Sequence, residues 1–407
     1  MKDVLTFIMA GGRGERLSPL TNDRAKPAVP FGGIYRIIDF TLSNCINSGL
    51  RRIYILTQYK SSSLQRHVSL GWNIFTREIG EFIEVIPAQQ RTGEMWYRGT
   101  ADAVYQNINS IDAENPADVL ILSGDHIYKM NYMDMVSYHR YMDADLTIAA
   151  VEMPKEDCIH FGVLETARGG KLTGFHEKPK EPITIPDKPN KIYVSMGIYV
   201  FKPNVLKEVL EEDSAKSSSA HDFGKNIIPQ MIKDKRKIFV FPFHDENNKK
   251  PLYWRDIGTI DAFYEANMDL VSVSPEFNLY DSHWPVRTYQ RQSPPAKTVF
   301  AGGDTGDRIG IVLDSLVSSG CIVSGGKVSS SILSSMVRIN SYANVEESIL
   351  MEGVNVGRYA KIRRAIIDKH AVISPGVEIG YDLEKDGKRF FVSPQGIVVI
   401  PKGIKVE

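Results

Sequence analysis

One lattice of aliphatic residues dictates what the last quarter of this chain can fold into. Leu316, Leu333, Leu350 and Ile367 recur every 17 residues. Ile322, Ile339, Val356 and Ile373 do the same, and so do Val328, Val345, Ile362 and Ile379. Within a cycle the steps are six, six and five residues. A helix needs a period of 3.6, and a meander needs turn signals at hairpin spacing. Three hexapeptide-like steps per cycle describe a triangular solenoid, a parallel β-helix. Each side points an aliphatic inward and successive coils stack them. Each burial is worth ~1.5–3 kcal/mol before chain entropy is subtracted.

The preceding residues follow a different rhythm. Val4 to Met9 reads as a buried strand, and Gly11 to Pro19 as a loop. Asp39 is placed to cap a helix that stops at Gly49. Strands are expected at Ile53 to Thr57, Val119 to Leu122 and Leu146 to Val151, and helices at Thr100 to Ile111 and Tyr132 to Tyr141. Hairpins follow from Phe161 to about Ser195, turning at Gly169-Gly170. Helices return near Val205 to Glu212, Phe223 to Lys233 and Thr259 to Val271. Strands alternating with helices imply an α/β class with a Rossmann-like, mainly parallel sheet. Ligands of such sheets sit at the carboxyl ends of strands, where the Gly11 loop and Asp125 both fall. Pro275, Pro285, Pro294 and Pro295 then punctuate an aperiodic stretch. The expected organisation is an α/β domain over 1–274, a linker over 275–300 and a solenoid over 301–407.

Composition narrows the partners. Lys plus Arg number 49 and Asp plus Glu 49, so no basic surplus is available to release counterions from a polynucleotide. The three cysteines are far apart and odd in number, which argues against a disulfide framework or a structural zinc site. The apolar run Val4 to Ala10 is too short to span a membrane and is followed by Gly-Gly-Arg-Gly, not a cleavage site. A cytoplasmic protein without a targeting signal is expected.

The loop Ala10-Gly11-Gly12-Arg13-Gly14-Glu15-Arg16-Leu17 follows a strand and can present N–H groups to phosphates. It lacks the Gly-Lys-Ser/Thr of a P-loop, and Leu17 stands where a dinucleotide fingerprint wants Gly or Ala. By itself it is equally a tight turn. Arg13, Arg16, Arg24, Lys26 and Arg36 lie close by against Glu15 and Asp23. Such a cluster in a neutral chain points to an anionic ligand, or to a solvated basic face.

That loop, followed by Arg24-Ala25-Lys26-Pro27-Ala28, resembles the signature of sugar-1-phosphate nucleotidyltransferases. Tyr35 to Phe40, Leu42 to Cys45, Trp96 to Ala103, Ser123 to Tyr128, Glu177-Lys178-Pro179, Ser195 to Tyr199 and Tyr253 to Thr259 narrow the resemblance to the bacterial ADP-glucose pyrophosphorylase family. The resemblance covers nearly the whole chain and implies a left-handed β-helix. The implied reaction is ATP plus glucose 1-phosphate giving ADP-glucose and pyrophosphate, the first committed step of glycogen synthesis. Neighbouring readings are a UTP- or dTTP-using enzyme and a catalytically silent regulatory subunit.

The resemblance also implies roles. Asp125 and Asp256 match the family's metal-binding aspartates, with Mg2+ as the cofactor. Magnesium held by one or two carboxylates plus substrate oxygens suits two lone aspartates. Arg16 and Lys26 match positions on the ATP phosphates. Gly11, Gly12, Gln90, Gly99 and Thr100 would frame the nucleotide. Lys178 matches the lysine on the phosphate of glucose 1-phosphate, and Tyr97, Gly162, Glu177 and Ser195 match the sugar pocket. Arg24, Arg36, Arg338 and Arg389 match basic positions associated with small anionic effectors such as sugar phosphates, AMP or phosphate. Asp23 and Pro30 depart from the family at that point. A homotetramer is implied, with no nucleic acid or membrane partner. His370 reads as a solvent-facing loop residue of the solenoid, and Thr259 as the better cap for the helix after Asp256.

Overall fold

The computed structural model describes residues 3–89, 96–247, 252–301 and 308–407. At its centre the strand Val4–Met9 lies parallel to Arg52–Thr57 on one side and Asp118–Ser123 on the other. Phe82–Pro87 extends the parallel half. Beyond Asp118–Ser123 the long strand Lys191–Phe201 runs antiparallel, and it also pairs with Leu146–Pro154 and Gly162–Thr166. The hairpin strands Gly162–Thr166 and Leu172–Glu177 turn through Gly169 and Gly170, as expected. The central strands are apolar on nearly every residue because both of their faces are covered.

Helix α1 (Ile37–Asn47) packs Ile38, Leu42 and Cys45 into the core beneath this sheet. Asp39 is not its N-cap residue. It sits three residues further in, and Oδ2 accepts the Arg36 N–H at 2.7 Å. Helix α2 (Ser62–Gly71) follows the second strand. The expected helix from Thr100 to Ile111 is two, α3 (Thr100–Tyr105) and α4 (Ile108–Glu114). Asn107 breaks it, spending its side-chain amide on Ala103 O and Tyr97 Oη. Thr259 caps the helix Ile260–Asp269 by accepting from the Ala262 N–H, as the sequence predicts.

The C-terminal part is a three-sided parallel β-helix of the hexapeptide type. Among the described residues its ladders hold six, five and six strands. Its first strand, Lys297–Val299, starts ahead of residue 301. Ten of the twelve lattice aliphatics are buried. Leu316 and Ile322 are the exceptions. There the ladder pairs Val317 with Leu333 and Val323 with Ile339, 16 residues apart. The missing residue lies at the corner between Val323 and Val328, where Gly325 turns with φ 69°. Higher coils keep the 17-residue register, Val328 over Val345, Ile362 and Ile379. The last coil is widened by an insertion carrying the short helix Leu383–Gly387, so Ile367 pairs with Ile400.

The proline-marked stretch is strapped down along α1. Trp284 donates its indole N–H to Asn44 Oδ1 at 2.8 Å, and the Arg287 N–H bonds Ser43 Oγ at 2.8 Å. Asn47 donates to Pro285 O at 3.0 Å, and Thr288 to Asp39 Oδ2 at 2.6 Å. One core cluster crosses between the halves, joining Leu17, Phe31, Phe40 and Phe263 to Ile332, Ile349 and Ile366. A second link is ionic. Arg24 Nη2 donates to both oxygens of Asp368 at 2.9 and 2.8 Å, with both side chains buried.

Candidate active site

Met9 and Ser123 are register partners, so the loops leaving the two central strands emerge side by side. One carries the glycines, the other Asp125. A short two-stranded ribbon, His126–Tyr128 against Trp254–Asp256, then brings Asp256 opposite His126. Two distant stretches of sequence thus place two carboxylates at one point.

Lys26 lies between them. Its Nζ is 2.8 Å from Asp125 Oδ2 and 3.1 Å from Asp256 Oδ1, and the residue is buried. Burial alone would pull this ammonium down. The two carboxylates outweigh it, and the net shift is upward. Burial alone would raise the Asp125 carboxyl, but Lys26 and His126 hold it well below the usual carboxylate range. Ser123 Oγ donates to its other oxygen. Ligand atoms of Asp125, His126 and Asp256 lie within 4.8 Å of one another. The fit to a divalent cation is direct: a single ammonium already bridges both carboxylates, and their combined charge exceeds it by one.

Two cavities meet here. The larger, about 680 Å³, is walled by Gly11, Gly12, Arg13 and Arg16 on one side and by Tyr97, Gly99 and Thr100 on the other. Lys26 and Asp125 form its inner end. The smaller, about 260 Å³, holds Gly162, Glu177, Ser195, His126 and Asp256. Met9, Thr100 and Ser123 line both. Tyr97, expected at the sugar, belongs to the larger cavity. Its phenol accepts from Asn107 Nδ2 at 2.9 Å. Lys178 lines neither; it follows Glu177 on the exposed rim with φ 49°. Gln90 lies outside the described residues.

The structure adds residues to which the resemblance gave no role. Tyr199, Asp222, Phe223 and Trp254 wall the smaller cavity, and Gln58 and Tyr59 the larger. His126 Nδ1 and Trp254 Nε1 are buried there without a hydrogen-bond partner among the described residues. Such atoms are costly unless something pairs with them. Only the alternation of Trp254 and Asp256 along one strand hinted that the tryptophan shares the aspartate's face.

A third cavity of about 580 Å³ opens between the two halves. Arg24, Arg36, Arg66, Arg291, Lys369 and Lys402 line it. Burial pulls the Arg36 guanidinium and the Lys369 ammonium down, and neighbouring cations add to the effect. Arg338 and Arg389 do not join them. Arg338 alternates with inward Ile339 and so faces solvent, where it donates to Asn340. Arg389 lies on the last-coil insertion and donates to Glu407 O.

Comparison with known proteins agrees with this geometry. Residues 5–273 match the nucleotidyl transferase family, and residues 294–400 match the GlmU-like C-terminal hexapeptide family. A protein of Koribacter versatilis named glucose-1-phosphate adenylyltransferase is 56% identical over 99% of this chain and 96% of its own length. One of Rhodopirellula baltica with the same name is 54% identical over 99% and 91%. Glucose-1-phosphate adenylyltransferase 2 of Vibrio parahaemolyticus is 53% identical over 99% of each chain. With both halves matched and the identity spread over its full length, this chain belongs to the glucose-1-phosphate adenylyltransferase family of nucleotidyl transferases.

Proposed function

We propose that the protein transfers the adenylyl group of ATP to glucose 1-phosphate, giving ADP-glucose and pyrophosphate. The observation that carries this reading is the pair of adjoining cavities with Lys26, Asp125 and Asp256 at their junction. A phosphate oxygen of the sugar attacks the α-phosphorus of ATP. The new P–O bond forms as the bond to pyrophosphate breaks, in line. No enzyme nucleophile is required.

Both substrates are polyanions. One like-charge pair at 4 Å costs ~1 kcal/mol in water and ~4 kcal/mol at an effective dielectric of 20. Catalysis is therefore mostly positioning and charge neutralisation. Arg16 and Lys26 supply fixed positive charge at the phosphates, and the Gly11–Gly12 backbone supplies N–H donors. Asp125 and Asp256, with His126 beside them, would hold Mg2+, which when bound supplies further positive charge to the phosphate oxygens. Glu177 and Ser195 offer an acceptor and a hydroxyl to the sugar. Lys178, exposed beside Glu177, is the residue we assign to its phosphate. Replacing Lys178 by alanine is expected to raise the KM for glucose 1-phosphate roughly tenfold or more, the worth of one charge-assisted hydrogen bond, and to leave the KM for ATP nearly unchanged. An unaltered KM for the sugar phosphate would remove Lys178 from the pocket.

Pyrophosphate release by the purified chain, with glucose 1-phosphate and ATP, UTP or dTTP in turn, tests the reading. ATP is expected to be preferred. Preference for UTP or dTTP would make it a neighbouring enzyme, and no release with any nucleotide would make it a silent regulatory subunit. The same proposal gives the basic cavity between the halves to small anionic effectors, sugar phosphates, AMP or phosphate, and the β-helix to contacts within a homotetramer. Among the described residues no helix is long and apolar enough to cross a membrane.

A further inference from the structure

The two substrate cavities are sewn together along one seam. On one side is the start of α3, Gly99 to Asp102. On the other is the segment Ala220 to Phe223, which follows the helix Pro203–Ser214. The Ala101 N–H donates to His221 O at 2.8 Å. Thr100 Oγ1 donates to Asp222 Oδ2 at 3.0 Å and accepts the Phe223 N–H at 3.1 Å. The backbones touch so closely that a Cβ on Gly99 would collide with the carbonyl oxygens of Ala220 and His221. Thr100 lines both cavities, Gly99 only the larger, and Asp222 and Phe223 only the smaller.

One side chain holds this seam in place, and it touches neither cavity. His221 adopts φ 51°, a left-handed conformation that a residue with a Cβ keeps only when its surroundings hold it there. Its Nδ1 is 2.8 Å from Asp213 Oδ2. The other Asp213 oxygen accepts from Ser219 Oγ at 2.7 Å, and Ser219 Oγ accepts the His221 N–H at 2.9 Å. His221 is 3% exposed and Asp213 6%. The last turn of the helix Pro203–Ser214 thus clamps the ring, and the ring fixes the carbonyl and the two residues beyond it.

We propose that His221, clamped by Asp213, is a positioning residue that couples the two cavities, so that a nucleotide in the larger one tightens glucose 1-phosphate in the smaller one. The inference rests on the assignment of the cavities to ATP and glucose 1-phosphate. A nucleotide that settles against Gly99 and Thr100 orders α3, and the seam bonds pass that order to Asp222 and Phe223. By linkage the sugar phosphate tightens the nucleotide by the same factor.

Calorimetry on the whole chain reads this directly. Glucose 1-phosphate is titrated with and without a non-hydrolysable ATP analogue. In the natural protein the analogue is expected to lower the Kd of glucose 1-phosphate ~10-fold. In His221→Ala that ratio falls to near one, although each ligand still binds. His221→Asn, which tolerates the left-handed backbone and offers Asp213 an amide donor, restores part of it. Should His221→Ala not fold, Ser219→Ala removes a clamp hydroxyl that lines neither cavity and is likewise expected to lower the ratio. A merely structural role would lower the melting temperature and leave the ratio alone. A ratio unchanged in a folded variant, or a ratio of one in the natural protein, overturns the coupling. If neither ligand binds the natural protein, the cavity assignment fails instead, and the coupling with it.

Discussion

Replacing Asp125 by asparagine is expected to lower kcat on the order of 10³-fold while the melting temperature stays within a few degrees. The carboxylate sits where Lys26, His126 and Asp256 converge. Its removal deletes half of the negative charge available to hold a divalent cation. Lewis-acid stabilisation of a reacting phosphate is worth several kcal/mol, and each 1.36 kcal/mol is tenfold in rate. The amide keeps the carboxylate's shape and still accepts a hydrogen bond from Lys26. It also relieves the excess of two carboxylates over one ammonium. Pyrophosphate release measured beside a thermal melt separates chemistry from folding. Turnover near that of the natural protein would sink the metal assignment.

Asp368→Ala should be costly to stability. Asp368 belongs to the solenoid and Arg24 to the loop beside Lys26, and both side chains are nearly inaccessible. Truncation leaves a buried guanidinium without its counter-charge, at ~3–5 kcal/mol. Arg36 and Lys369 stand in the same cavity and would make that worse. A fall in melting temperature of on the order of 5 °C or more is expected. The double variant Arg24→Met, Asp368→Leu should recover most of it, because two matched apolar groups leave nothing unpaired. If the double variant melts as low as the single one, packing rather than charge holds this junction.

The sequence was most informative where spacing alone decides geometry. A period of 17 is incompatible with a helix, and the three ladders follow from it. It misled at Leu316 and Ile322 because each is followed by a valine. A slip of one residue still offers an aliphatic, so the short coil is invisible until pairing is known. The end of the Val4–Met9 strand and the end of Asp118–Ser123 were both legible as ligand positions, and their adjacency is a matter of register. Asp256 was legible only through resemblance, since it arrives on a two-stranded ribbon from 130 residues further along the chain. Asp222 and Phe223 carried no signal at all. Their position depends on one strained residue and its buried hydrogen bond to an aspartate, neither of which has a sequence pattern. The basic residues named from the resemblance divided at the cavity between the halves. Arg24 and Arg36 converge there with Arg66, Arg291, Lys369 and Lys402, whereas Arg338 and Arg389 face away on the solenoid exterior.

The strap along α1 separates two boundaries that are usually assumed to coincide. Architecture changes near residue 297, where the first solenoid strand begins. The chain up to Thr288, however, completes the hydrogen bonds of Asp39, Ser43 and Asn44, all of them buried in the catalytic half. A chimera that exchanges solenoids between relatives must therefore keep this stretch with its own α1. Its new solenoid must also present aliphatics where Ile332, Ile349 and Ile366 meet Phe31 and Phe40. Modularity in this molecule is a property of the coils, not of the join.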